Sequence, residues 1–389
     1  MHIVELEAYH LRIPLRRPIK HASKTRTDTG NIVIRCKLSD GSTGWGEGVP
    51  RDYVTGETID SAMALVARSE LPSQFSPCDS FEQAVQLAER IRLAEVPGDD
   101  RQCQGNAARC AVELAVLDAF GRAFGEPLMN VTKMLAPELY QPRQRVQYSG
   151  VILSAKGWKA RAYAVAQRLL GFQQLKVKVG MTGQDDAERV RLIRRWAGTK
   201  MDLRVDANEA WNVAECVERI HALVPFGITC VEQPVSHKQV AGLAGIRKQL
   251  RTPIMLDESF CSMVDAKQAI ENQWCDLFNL RLSKCGGFIP TLRLAQYAKQ
   301  HNIGYQLGCQ VGESAILSAA GRHFATSVAG IRYVEGSYDR RLVFDWLTEE
   351  DITFGRGGYA PTLIGCGLGV TVEPVRVEMM TERREVLLG

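Results

Sequence analysis

The 389-residue chain has no run of 18 apolar residues, which excludes a membrane-spanning helix, and no G-K-[ST] triplet, which excludes a nucleotide P-loop. Its eleven cysteines include no C-x-x-C pair and sit in apolar runs such as Thr229-Cys230-Val231, so they read as reduced core residues rather than disulfides or a metal knuckle. The opening residues lack the apolar block of a secretion signal and alternate instead, Val4-Glu5-Leu6-Glu7-Ala8-Tyr9-His10-Leu11, as a strand does. A cytoplasmic protein is expected. Excess charge of one sign is scarce too: the formal net charge is +4, without long basic tracts, which argues against nucleic-acid or membrane partners and leaves small anions. With 45% hydrophobic and 24% charged residues, the chain has the profile of a globular protein large enough for two domains.

Residues 1–48 read as a β-meander. A first strand is followed by a polar basic stretch from Arg16 to Gly30, expected to be a mobile loop, then by strands Asn31–Leu38 and Thr43–Glu47 about the turn Ser39-Asp40-Gly41-Ser42. From 57 to 125 the period becomes helical, most clearly in Ala107, Cys110, Leu114, Leu117, Gly121 and Phe124, with Glu113 and Asp118 interrupting the apolar pattern. From about 145 short apolar strands alternate with amphipathic helices, near 146–152, 174–179, 201–206, 228–232, 254–257, 277–282, 303–307 and 331–335. Eight strands in strict β-then-α order predict an α/β fold with a parallel barrel. The glycines in Gly365-Cys366-Gly367-Leu368-Gly369 mark a turn, after which the tail is expected to return to the first domain. The expected division is an α+β domain over 1–130, the barrel over 140–355 and a returning segment over 356–389.

Charged residues close successive barrel strands about every 25 to 29 residues, one strand plus one helix apart: Lys176-Val177-Lys178, Asp206-Ala207-Asn208, Glu232-Gln233-Pro234, Asp257-Glu258-Ser259, and Lys284. Strand side chains at i and i+2 share a face, so Lys176 and Lys178 point together, and the cost of burying two ammonium groups places them at the barrel mouth. Asp206, Glu232 and Asp257 would crowd three carboxylates there. Such a cluster takes up protons, pairs with the lysines, or holds a dication, and an all-oxygen set favours Mg²⁺ or Mn²⁺. Asn208, Gln233 and Glu258 are placed to orient these acids. Lys178 and Lys284, on the second and sixth strands, would face one carbon from opposite sides as acid and base, with Lys176 tuning its neighbour.

This combination of K-x-K, D-x-N, E-Q-P, D-E-S and a lysine before Gly286-Gly287, behind an α+β domain, resembles the enolase superfamily, and the lysine pair resembles its muconate lactonizing enzyme subgroup. The resemblance spans essentially the whole chain. It implies a (β/α)₇β TIM-type barrel under an N-terminal α+β capping domain completed by the C-terminal tail. It also implies Mg²⁺ ligation by Asp206, Glu232 and Asp257, and acid/base work by Lys178 and Lys284. The implied chemistry is removal of the proton next to a substrate carboxylate, with the enediolate held by the metal, most often in homo-oligomers.

Within that resemblance the reading is an isomerase, either a cycloisomerase or a racemase/epimerase. An o-succinylbenzoate synthase type dehydratase uses the same first step, and a noncatalytic binding protein on the same barrel is the reading from another class. No histidine falls at the active end of a predicted strand, which argues against the histidine-dependent subgroups. Glu313, Arg51, Tyr53, Ser337 and Asp339 are candidates for substrate contact, with Arg16, Arg17 and Lys20 as further cations near the mouth. Dipeptide epimerases of the subgroup carry D-x-D at the eighth strand end, where this chain has Ser337 in place of the first aspartate.

Overall fold

The computed structural model describes residues 1–20, 25–344 and 347–389; the side chains of residues 19, 20 and 25 also lie outside the description, and with them the contacts expected of Lys20. In chain order the first domain holds β1 (Ile3–Lys20), β2 (Thr25–Leu38), β3 (Thr43–Gly48), α1 (Ile59–Ala67), α2 (Phe81–Arg90), α3 (Asn106–Phe124) and α4 (Asn130–Leu135). The Arg16–Gly30 stretch is not a free loop in the described residues. Leu11, Ile13 and Leu15 keep burying one face, and the two arms still pair at Ile19–Arg26 and Lys20–Thr25. The alternation that makes the strand therefore outlasts the basic residues interleaved with it.

Helix α3 is apolar on nearly every side and buried to match. It lies directly on β3, whose Gly44, Gly46 and Gly48 share one face. A Cβ at any of them would come within about 2 Å of the α3 main chain. The two acids that interrupt α3 are buried struts: Asp118 accepts from the Trp45 and Leu368 amides at 2.9 and 2.7 Å, and Glu113 accepts from the Ile289 amide at 2.9 Å.

The barrel follows as β4 (Arg145–Gln147), β5 (Gly150–Ile152), α5 (Gly157–Leu170), β6 (Gln174–Lys178), α6 (Asp186–Ala197), β7 (Asp202–Asp206), α7 (Val213–Leu223), β8 (Ile228–Glu232), α8 (Leu243–Arg247), β9 (Ile254–Leu256), α9 (Met263–Glu271), β10 (Leu277–Leu280), α10 (Phe288–Gln300), β11 (Gly304–Leu307), α11 (Ala315–Ser327) and β12 (Ile331–Val334). Strands β5 to β12 are parallel, in sequence order, with a helix between each pair. The Ser149 amide donates to the Val334 carbonyl at 2.8 Å and links the last strand to the approach of the first. The expected strand 146–152 is divided: only β5 joins the barrel, while β4 pairs antiparallel with β13 (Tyr359–Pro361), which comes after the short α12 (Asp339–Leu342). Beyond it, α13 (Pro374–Met379) leads to β14 (Thr381–Leu388), which pairs antiparallel with β1, so the first sheet is ordered β14-β1-β2-β3. Among the described residues no helix is long and apolar enough to cross a membrane.

Capping residues grip the barrel loops. Glu47, at the end of β3, accepts from the Ser314 and Leu317 amides at 2.9 Å each and from the Ser314 hydroxyl at 2.6 Å, and so caps α11 from the other domain. Asn106, the first residue of α3, donates to the carbonyls of Lys284 and Cys261 at 2.7 and 2.9 Å.

Candidate active site

The C-terminal ends of β6 to β10 bring the charged groups together. Asp206 and Glu232 end β7 and β8, and Asp257 follows β9. Lys176 reaches inward from β6, with Nζ 2.8 Å from Glu335 and 3.5 Å from both Asp206 and Glu232. Burial opposes its charge, but Glu232, Glu335 and Asp206 outweigh that and hold the ammonium protonated well above its ordinary range. Lys178 stands two residues on, in register with Asp206 across the ladder.

Lys284 is not on the sixth strand as expected. That strand stops at Leu280, and Lys284 lies in the turn before α10. Its Nζ folds back to donate to Asp257 Oδ1, the Asp257 carbonyl and the Asn279 carbonyl, each at 2.8 Å. Asp257 also meets the Arg281 guanidinium, and these cations overcome burial to hold its carboxyl below the usual range. Arg281 further stands 4.0 Å from Glu232 and donates to Gln310 Oε1 at 3.1 Å.

Among the described residues no three acids, thiols or imidazoles stand as a ready-made ligand cage. The acids are instead paired across cations, Asp206 and Glu232 about Lys176, Glu232 and Asp257 about Arg281. The donor set nonetheless suits a dication. Glu232 Oε2 and Glu258 Oε2 are buried with no protein hydrogen-bond partner. Burial first, then the neighbouring acids, pushes Glu232 up to about 8 and Glu258 well above its ordinary range. A cation held by Glu232 and its neighbouring acids would relieve the penalty on Glu232 with hard oxygen ligands.

Asn208 donates to Glu258 Oε1 at 3.3 Å, and its amide meets Asp206 at 3.0 Å. Gln233 Oε1 accepts from the Asp257 and Ser259 amides at 2.9 and 3.2 Å and so fixes the turn that carries Asp257. Both residues have left-handed backbone, φ 43° and 34°.

Candidates for substrate contact fare differently. Glu313 shares a narrow cavity with Tyr148, Leu307, Glu335 and Ser337, and its carboxyl is pushed up to about 8 by burial and by Glu47. Arg51 is buried and donates to Pro50 O at 2.7 Å, to Thr29 Oγ1 at 2.8 Å and to Val311 O. Tyr53 lies under the Arg26 guanidinium at 5.5 Å on the capping loop. The Ser337 hydroxyl is spent between Arg322 at 2.6 Å and the Ile352 carbonyl at 2.8 Å. Asp339, the first residue of α12, is buried, and desolvation lifts it to about 6. Arg16 is tied to the Val343 carbonyl at 2.9 Å.

Three interior residues were given no role in the sequence reading. Glu335, at the end of β12, receives both Lys176 and Arg204; Arg204 rises from the middle of β7, and Asn279 from β10 donates to Glu232 Oε1 at 2.8 Å. Arg204 sits at even spacing with Asp206, a parity that points it into the barrel and was the available signal.

A parallel barrel whose mouth gathers three strand-end acids and two lysines defines a class of acid/base enzymes. Residues 159–376 match the enolase C-terminal domain-like family, and residues 3–132 match the N-terminal domain of the mandelate racemase/muconate lactonizing enzyme family. The chain belongs to that family, in the enolase superfamily and its muconate lactonizing enzyme subgroup, and it is an enzyme of the isomerase class. It is 27% identical over its full length, and the full length of the relative, to an N-succinyl-L-Arg/Lys racemase of Bacillus cereus. The solved structure of that racemase superposes with a TM-score of 0.85 over 99% of this chain and 100% of that one, at 25% identity. A D-Ala-D/L-Ala epimerase of Cytophaga hutchinsonii is 30% identical over 89% of each chain. The muconate lactonizing enzyme structure from Pseudomonas fluorescens gives 0.83 at 25% identity, covering 98% of this chain and 99% of that one.

Proposed function

We propose that this chain is a Mg²⁺-dependent racemase or epimerase that inverts the carbon bearing a carboxylate in an N-acylated amino acid. The observation that carries the reading is the ring of Asp206, Glu232 and Asp257, with Lys178 in register beside the first acid and Lys284 bonded to the last. These acids would hold Mg²⁺, or Mn²⁺ in its place, which when bound supplies positive charge to the substrate carboxylate oxygens. Lys178 and Lys284 then divide the proton work. A neutral amine on one side takes the proton from the carbon, and the ammonium on the other returns one to the opposite face; the roles exchange for the mirror substrate. Lys176, enclosed by Glu335 and two of the acids, stays charged and opposes the upward push that burial exerts on Glu232.

The acylated substrate is favoured over one with a free α-ammonium because the eighth strand end offers no open carboxylate. Glu335 is bound by Lys176 and Arg204, and Ser337 and Asp339 are buried. A likeness to the N-succinyl amino acid racemase over the whole of both chains supports the same choice. A cytoplasmic location, with all eleven cysteines free, and a homo-oligomeric state belong to the same proposal.

The test is exchange in D₂O with Mg²⁺, using N-succinyl amino acids beside free dipeptides. Deuterium should enter the α position as the optical rotation decays, and loss of water would mark a dehydratase instead. In Lys178→Ala and Lys284→Ala, turnover should fall by about 10²–10⁴, and each variant should exchange only one enantiomer. Absence of α exchange with every carboxylate tried would overturn the proposal.

A further inference from the structure

We infer that Asn279 is a positioning residue that aims the Glu232 carboxylate, an inference that rests on Asp206, Glu232 and Asp257 being the metal ligands. Asn279 is fully buried on β10, and its Nδ2 donates to Glu232 Oε1 at 2.8 Å. One oxygen of the acid is thereby fixed while the other, Oε2, has no protein hydrogen-bond partner and faces the Lys176 ammonium at 3.5 Å. A carboxylate pinned at one oxygen presents the other in a defined direction, which is how a neighbouring donor raises metal affinity.

The amide cannot easily turn away. A Cβ on Gly308 would lie 2.2 Å from Asn279 Oδ1, so the main chain just past β11 closes on the oxygen side of the amide. The main chain of the same residue is committed as well, since its carbonyl accepts from Lys284 Nζ at 2.8 Å. Asn279 therefore sets the spacing between the middle acid and one of the two lysines. An amide suits the position because it donates without adding a charge, whereas an acid would repel Glu232 and a lysine would compete with an incoming cation.

The adjoining strand supplies an internal control. Gln306 is paired with Asn279 across the β10–β11 ladder and is equally buried, yet neither of its amide atoms bonds to a protein group. It shares the layer without touching an acid.

Mn²⁺ titrations followed by electron paramagnetic resonance, without substrate, test the inference on the full chain. Asn279→Leu keeps the volume and removes the donor, and it should weaken Mn²⁺ binding by at least 10-fold. Gln306→Leu should bind within about twofold of the parent protein. Thermal unfolding in EDTA checks that each variant folds, and Asn279→Ser replaces Asn279→Leu if it does not. Mn²⁺ affinity equal to the parent in the Asn279 variant overturns the inference and leaves the ligand assignment standing. Failure of the parent protein itself to bind Mn²⁺ overturns both.

Discussion

Truncating Glu335 to alanine should unfold the protein far more readily than a surface change would, because the carboxylate is the shared counter-ion of two buried cations. Lys176 approaches it at 2.8 Å, and Arg204, with no solvent exposure at all, meets the same carboxylate. Burial by itself would raise the Glu335 carboxyl, but Lys176 and Arg204 reverse the sign and draw it down to about 2 from 4.5. At 1.36 kcal/mol per pH unit this drop corresponds to roughly 3 kcal/mol. Loss of one partner from a buried ion pair costs about 3–5 kcal/mol in general, a figure of the same order. The contribution is present above pH 4.5 and disappears as pH falls toward 2. Urea unfolding at pH 7 should therefore show Glu335→Ala destabilised by about 3–5 kcal/mol. The double variant Arg204→Leu with Glu335→Leu should recover much of that, since an apolar replacement of a whole buried pair is often neutral. A loss below about 1 kcal/mol in the single variant would refute the reasoning and mean that Glu232, 3.5 Å from Lys176, takes over as counter-ion.

Gly46→Ala places a methyl 2.0 Å from the Ala111 carbonyl oxygen and 2.4 Å from the Ala115 nitrogen, both helix main chain, so the loss should reach about 3 kcal/mol or more in thermal or urea unfolding. Gly245→Ala, with nothing within 4 Å, should be neutral or slightly stabilising in the same assay. His323 is buried neutral on α11, held down to about 4 by desolvation, with Nε2 3.1 Å from the Leu368 carbonyl. Its folded value lies below 6.5, so stability should fall as pH drops from 6.5 to 4, by up to roughly 3 kcal/mol, and His323→Leu should flatten that limb of the pH–stability curve.

The barrel and its charged rim were legible because both follow from local rules. A parallel strand buried on both faces reads as an apolar run, and an unpaired charge is most easily placed at its end, so Lys178, Asp206, Glu232 and Asp257 announced the strand ends by position. Eight parallel strands in the expected order were found, the first only in the second half of its expected span and the sixth ending two residues early, and the family resemblance carried by these motifs holds. What escaped depends on packing between distant segments. Arg51 is basic and near the mouth, and only the fold shows that it also donates to Thr29 and to the Val311 carbonyl from distant segments. Arg204 and Asn279 are polar residues within apolar strands, and only the closed barrel shows that they meet Glu335 and Glu232. The alternating glycines of β3 carried a period-2 signal with no side chain to reveal its meaning, which was the approach of α3. Lys284 shows the limit of counting spacings, since a turn rather than a strand delivers its ammonium.

The pairing of β1 with β14 has a consequence for how the chain comes into being. During synthesis the opening strand leaves the ribosome early, while its outer neighbour is separated from it by every element of the barrel. Until translation has passed residue 388, one margin of the nascent sheet carries open amides and carbonyls, able to recruit any extended segment nearby. Maturation of the first domain must therefore await the last, and clipping the final nine residues should turn a latecomer's berth into a site for intermolecular aggregation.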